Sequence, residues 1–258
     1  MFDMYMAGSH NVHVIQKGTD SSMIYLTGDT HRRFDRVEKF CNLVGSTADD
    51  ILIILGDVGI NFYGYDRDRE LKTILSELPI TLLCIHGNHE QRPESIDTYE
   101  ETPWRGGMVF REPEFPNFLF AKDGEIYELC GWRCIAIGGA YSIDKKYRKR
   151  GLNWWEDEQP SDEIKARVET RLAEENWKVD AVLSHTCPLK YIPIEGFLPG
   201  FDQLDVDDST ERWLDTIEDK LTYDRWLCGH FHMYKTIDKM LFLYNDFVEM
   251  PQQSEEGG

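Results

Sequence analysis

The sequence predicts a mixed α/β domain, and three observations carry that expectation. Short runs of apolar, largely branched residues of strand length recur at Met23 to Leu26, Ile51 to Leu55, Ile80 to Ile85, Ala181 to Leu183 and Trp226 to Cys228. Segments with apolar residues at helical spacing lie between them. No internal repeat, low-complexity stretch or Pro/Gly/Ser linker divides the chain, so one domain is expected.

In chain order, residues 1–22 show no sustained period and read as a disordered leader, cloning-derived or from an alternative start, rather than a native arm. The domain proper is expected over 23–250, followed by a polar, frayed tail at 251–258. Arg33 to Leu43 and Asp68 to Leu78 have helical spacing, and Ser161 is placed to cap a helix running to about Trp177. Asp208-Ser209-Thr210-Glu211 has the pattern of a capping box opening a helix to Leu221. Tyr234 to Ile237 and Leu241 to Val248 read as two successive strands.

Each of the five apolar runs is followed, at once or after one residue, by a short polar string: Gly28-Asp29-Thr30-His31, Gly56-Asp57, Gly87-Asn88-His89-Glu90, Ser184-His185 and Gly229-His230-Phe231-His232. They would emerge at strand ends, where open α/β folds place their sites. One such string alone is an ordinary turn, since Gly and Asp favour turns whatever the function. Five in order are not. Imidazoles, carboxylates and a side-chain amide form a donor set suited to Mn, Fe, Zn or Ni, and no thiolate cage is present. Two such ions about 3.5 to 4 Å apart activate a water and clamp both oxygens of an in-line displacement at phosphorus. His10 and His13 in the leader, and His86 before Gly87, read instead as surface or core histidines.

These strings carry a resemblance. The order D-x-H, G-D, G-N-H-[DE], a lone His and G-H-x-H resembles the calcineurin-like metallophosphoesterase superfamily over most of residues 23 to 248. The resemblance implies two facing mixed β-sheets flanked by helices, a four-layer sandwich. It further implies that Asp29, His31 and His232 hold one metal, that Asn88, His185 and His230 hold the other, and that Asp57 bridges them. His89 would be the proton donor to the leaving group, and a metal-bridging hydroxide the nucleophile. One departure matters. The protein phosphatases of the superfamily carry G-D-x-V-D-R-G, whose second Asp orients the catalytic His and whose Arg grips phosphate. Here those two positions are Ile60 and Asn61, so protein phosphatase is disfavoured and another group must orient His89.

Composition bounds the partners. With 258 residues, 41% of them hydrophobic and 29% charged, the chain can bury a large core. A formal charge of −19 argues against a surface that grips duplex nucleic acid. The six cysteines are scattered, several in apolar runs, which suits a reducing cytoplasm; Cys130 and Cys134 bracket a hairpin-like turn, where a disulfide stays open. No apolar stretch reaches the roughly 18 residues of a membrane span, and no secretory signal is evident.

The most distinctive stretch outside the metal strings is Tyr141 to Arg150, followed by Asn153-Trp154-Trp155-Glu156. Its basic residues invert the local charge of an acidic chain. Lys145 and Arg148 are therefore candidates for holding a substrate phosphate, and Trp154 for stacking on a base or aryl group. A solvated basic loop with core tryptophans is the competing reading.

The sequence thus predicts a cytoplasmic dinuclear phosphoester hydrolase. Its expected substrate is a small phosphodiester, nucleotide or phosphomonoester. A single-strand nuclease and a noncatalytic metal-binding scaffold are the alternatives. Oligomeric state, native metals and physiological substrate are not legible.

Overall fold

A computed structural model describes residues 22–196 and 206–252; the leader up to residue 21, with His10 and His13, and the tail beyond residue 252 lie outside the described residues. The strands, in chain order, are β1 (Ile24–Thr27), β2 (Ile51–Ile54), β3 (Thr81–Cys84), β4 (Glu100–Trp104), β5 (Gly107–Arg111), β6 (Phe118–Ala121) and β7 (Ile126–Leu129). They continue as β8 (Trp132–Ile137), β9 (Ala181–Ser184), β10 (Arg225–Cys228), β11 (Lys235–Ile237), β12 (Met240–Phe242) and β13 (Val248–Glu249). The helices are α1 (Asp35–Val44), α2 (Tyr65–Leu75), α3 (Asp162–Glu174) and α4 (Ser209–Glu218).

Two mixed sheets result. One has the order β13-β1-β2-β3-β6-β5-β4, with β1, β2, β3 and β6 parallel; the other has the order β11-β12-β10-β9-β8-β7, with β8, β9, β10 and β12 parallel. Successive side chains of a strand face opposite ways, and this alternation sorts the core into three layers. Ile24, Leu26, Ile53 and Leu83 of the first sheet meet Tyr127, Ala136, Leu183 and Leu227 of the second in one cluster between the sheets. Tyr25, Leu52, Ile54 and Leu82 point outward onto Phe34, Val37, Phe40 and Leu75 around α1 and α2. Ile135, Val182, Trp226 and Phe242 pack on Val168, Leu172, Trp213 and Ile217 of α3 and α4. Strands covered on both faces lose the polar alternation of surface strands, which is why the central ones read as continuous apolar runs. The four layers match the architecture implied by the resemblance.

The helix ends show where local reading held. Ser161 Oγ accepts from Ile164 N and caps α3 as its sequence predicts. That helix stops at Glu174, short of Trp177, because Asn176 and Trp177 both take left-handed φ values of 53° and 54°. α2 begins at Tyr65, ahead of Asp68, whose carboxylate reaches back to accept from Tyr63 N and Gly64 N. The capping box before α4 does not form: Asp208 caps with no side-chain bond, and Glu211 turns inward to accept from Thr186 Oγ1 at 2.8 Å. The expected strand Leu241 to Val248 is a larger correction. Its start belongs to β12 in the second sheet and its end to β13 in the first, so the chain crosses between sheets there. Cys130 and Gly131 do form the β7–β8 turn, but all six cysteines are free thiols.

Candidate metal centre

Parallel strands bring their carboxyl ends to one edge, and all five polar strings emerge there. β1, β2 and β3 deliver Asp29 with His31, Asp57, and Asn88 with His89; β9 and β10 deliver His185, and His230 with His232. The loops from the two sheets approach so closely that a side chain at key glycines is excluded. A Cβ on Gly56, whose φ is +92°, would lie 2.0 Å from His185 Nδ1, and one on Gly229 would lie 2.4 Å from Asp29 Oδ1. The glycines of the four strings that have one, Gly28, Gly56, Gly87 and Gly229, are therefore a packing requirement of the site. Backbone strain marks it as well: His31, Asp57, His230 and His232 all have positive φ, between 45° and 64°.

Asp57 lies at the middle. Its carboxylate is buried, 3.5 Å from His185 Nε2 and 3.8 Å from both His31 Nε2 and His89 Nε2, and it accepts from His89 N at 2.8 Å. On one side, His232 Nε2 is 3.2 Å and His31 Nε2 3.6 Å from Asp29 Oδ2, and the two imidazole nitrogens are 2.9 Å apart. On the other, His185 Nε2 is 2.8 Å from Asn88 Oδ1, and the His185 and His230 rings lie 4.9 Å apart. Each predicted ligand is thus brought to the same edge. Asp29-His31-His232, His31-Asp57-His89 and Asp29-Asp57-His185 each place donor atoms within 4.8 Å of one another.

The donor set fits metal ions on local chemistry. His185 Nδ1 is 2.8 Å from the Leu55 carbonyl, an acceptor only, so Nδ1 carries a proton and Nε2 is the nitrogen left to face the centre. Nε2 meets the Asn88 carbonyl oxygen at 2.8 Å, a contact satisfied by a proton on Nε2 or by a metal ion lying against both atoms. Electrostatics agree. Burial opposes ionisation of Asp29, yet its bond from His232 and the nearby His185 bring it down to about 2. Asp57 is also held far below the usual carboxylate range: burial acts against this, and His89, His185 and His31 overcome it. Burial, with His185 beside it, pushes His230 down to about 3, leaving a neutral imidazole of the kind metals require.

Ile60 is fully buried among apolar residues against α1 and α2. Asn61 accepts from Tyr99 Oη at 3.0 Å. Neither residue faces His89. Arg148 does: its Nη2 lies 2.7 Å from His89 Nε2 and 2.9 Å from Nδ1, while it donates to Asp144 Oδ2 at 2.7 Å. The other two basic-loop candidates are engaged with each other. The Lys145 ammonium lies 4.2 Å from the Tyr141 ring centroid and 5.7 Å from that of Trp154, whose Nε1 donates to Glu158 at 2.7 Å. His86 is buried under Gly138, outside the donor cluster.

Several contributors were not legible. Ser142 Oγ accepts from Asn88 Nδ2 at 2.9 Å. Tyr244 stacks on His232 with centroids 4.4 Å apart, and Arg33 donates to its hydroxyl at 2.9 Å. Arg36 donates to the Gly28 and Asp29 carbonyls, both at 2.9 Å, tying α1 to the first string. Glu90 accepts from Gly87 N and Gly59 N, at 3.1 and 2.9 Å, and so joins the second and third strings. Glu90 belongs to a recognised string and Ser142 to the distinctive loop, so each had a signal; Tyr244 and Arg36 had none.

Comparison with known proteins agrees with this geometry. Among the similar solved structures are two that share 14% identity with the chain. One is a protein of unknown function, AQ665 from Aquifex aeolicus, matched over 88% of this chain and 90% of that one with a TM-score of 0.40. The other is TT1561 of Thermus thermophilus, matched over 81% of each chain with a TM-score of 0.45. At TM-scores below 0.5 these likenesses add nothing to the assignment. No curated protein matches the sequence. The family model for calcineurin-like phosphoesterases matches residues 22–234. With the strings, the four layers and the donor cluster in agreement with that match, the chain belongs to the calcineurin-like phosphoesterase family, whose chemistry is metal-dependent phosphoester hydrolysis.

Proposed function

We propose that this protein hydrolyses a small phosphodiester, nucleotide or phosphomonoester with two transition-metal ions drawn from Mn, Fe, Zn and Ni. Asp29, His31 and His232 hold one ion, Asn88, His185 and His230 the other, and Asp57 serves both. The observation that carries this reading is the central place of Asp57, with three imidazole nitrogens from both sheets 3.5 to 3.8 Å from its carboxylate. When bound, the ions supply Lewis acidity and a water acidic enough to attack phosphorus near neutral pH.

The chain's own residues supply the rest. Arg148 sits where a phosphate oxygen beside His89 would meet its guanidinium, taking the place of the arginine absent at Asn61. His89 gives its proton to the departing oxygen. Burial, with Arg148 and His31 adding to it, outweighs the raising by Asp57 and Asp144, so the pKa of its imidazole is lowered on balance. An anionic substrate beside the ring acts in the same direction as Asp57 and holds the proton until the leaving oxygen takes it. Protein phosphatase activity is disfavoured, because Ile60 and Asn61 are committed to packing and to Tyr99. Six free thiols, five of them buried, suit the cytosol; no helix among the described residues is long and apolar enough to cross a membrane.

The test is metal analysis of the purified protein, followed by hydrolysis assays on aryl monoesters, aryl diesters, cyclic nucleotides, dinucleoside polyphosphates and short oligonucleotides. Two bound ions with turnover of at least one class support the reading. Two bound ions and no turnover of any class would favour a noncatalytic scaffold.

A further inference from the structure

The loop after β8 presents one side to the metal centre and the other to solvent. Arg148 turns inward, its side chain only 9% exposed, toward His89. Its neighbours turn outward. Lys146 and Lys149 are exposed, Tyr147 is 74% exposed and Leu152 48%. The Lys146 ammonium lies 5.3 Å from the Tyr147 ring centroid, while Arg150 is paired with Glu156. On a chain of net charge −19, two exposed lysines lie within two positions of an exposed aromatic residue.

The reaction gives this surface a side. On the proposed function, on which this inference rests, His89 protonates the leaving oxygen, so the leaving group departs past His89. The loop carrying Arg148 flanks that path. An uncharged alcohol or a simple aryl group would make no use of two lysines. A nucleoside that carries a further phosphate would use both features, its base stacking on Tyr147 and its phosphate meeting Lys146 and Lys149. Duplex is disfavoured, because it would bring phosphates against the acidic remainder of the surface and leave its bases stacked inside.

We propose that the outward face of residues 146–152 is a leaving-group site, and that the substrate class is a short single-stranded oligonucleotide. In the reaction, water adds to phosphorus and the bond from phosphorus to the leaving nucleoside oxygen breaks. The His89 proton passes to that oxygen, and the products are a phosphomonoester and an alcohol. Lys146, Tyr147 and Lys149 take no part in bond making and act on binding alone.

The experiment compares two substrates on the metal-loaded full chain: bis(p-nitrophenyl) phosphate, which lacks a second charge, and trithymidylate. The variants are Tyr147→Ala and the double variant Lys146→Ala/Lys149→Ala. The expected result is that wild type hydrolyses both substrates. Both variants should keep aryl-diester kcat/KM while losing roughly tenfold or more on trithymidylate. The loss in the lysine variant should shrink as salt is raised. Retained aryl-diester turnover shows that each variant is folded and loaded. Unchanged trithymidylate kcat/KM in both variants, or wild-type aryl-diester activity with none on trithymidylate, would overturn the leaving-group site and leave the metal centre standing. Wild type inert toward the aryl diester with every metal would overturn the reading of the centre, and this inference with it.

Discussion

Ser142 Oγ lies 2.9 Å from Asn88 Nδ2 and 3.3 Å from the Asn88 carbonyl oxygen. The hydroxyl proton is committed to an oxygen, so a lone pair faces the amide and the amide must present its NH2 there. Asn88 Oδ1 is thereby turned toward His185. Partners that orient a ligand in this way are typically worth about 10- to 100-fold in metal affinity. Ser142→Ala should therefore weaken one of two ions by that order and leave the other nearly unchanged, as read by calorimetric titration. A wild-type two-site isotherm would show that the hydroxyl does not orient the ligand.

His89 should separate chemistry from metal loading. On the proposed role of His89 as proton donor, His89→Ala is expected to keep both ions yet lose activity most on poor leaving groups, since a good aryloxide leaves with little help. Rates measured across a series of aryl esters check this through their dependence on leaving-group pKa. A uniform loss across the series would assign His89 another role.

Arg148 is the most direct test of phosphate binding. Arg148→Ala should leave metal content and folding intact and cost about 1.5 to 3 kcal/mol in kcat/KM, the range for a hydrogen bond to a charged group. Asp144→Asn, which removes the carboxylate that holds the guanidinium, should reduce kcat/KM in the same direction. If kcat/KM of Arg148→Ala equals that of wild type, some other group grips the substrate.

Glu211 provides a pH-dependent reading of stability beside the centre, through its bond from Thr186, the residue after His185. Burial pushes its carboxyl up to about 7 from an ordinary value of 4.5, against the bond from Thr186 and with Asp208 and Asp207 adding to the rise. The folded state binds the proton more tightly than the unfolded chain, so the contribution is full below pH 4.5 and is lost as pH rises through 7. Glu211→Gln should gain on wild type across that window, by about 1 to 3 kcal/mol at its upper end. Denaturant unfolding of both proteins at several pH values measures the difference, and parallel stability curves would remove the effect.

The donors were legible because their residue types are dictated by chemistry and their glycines by close approach, and both constraints are written locally. Ser161 was legible for the same reason: its bond reaches only to Ile164. The box before α4 failed because Glu211 finds Thr186, 25 positions away, a better partner than the helix N-terminus. Leu241 to Val248 carries one apolar signature, and which sheet accepts each half depends on strands distant in sequence. Ser142 and Asn88 are 54 positions apart, and only the folded chain shows that the loop after β8 meets the third string.

The donors are divided between two sheets. Asp29, His31, Asp57 and Asn88 follow strands of the first, whereas His185, His230 and His232 follow strands of the second. On the proposed ligand set, ions bound across that seam would act as a clasp, since sliding one sheet over the other would pull donors from both. Neither half of the chain alone holds a complete set. A protein nicked between β8 and β9 would still be held by the β8–β9 ladder and the core between the sheets, so chelation would loosen the two layers at the site without parting them.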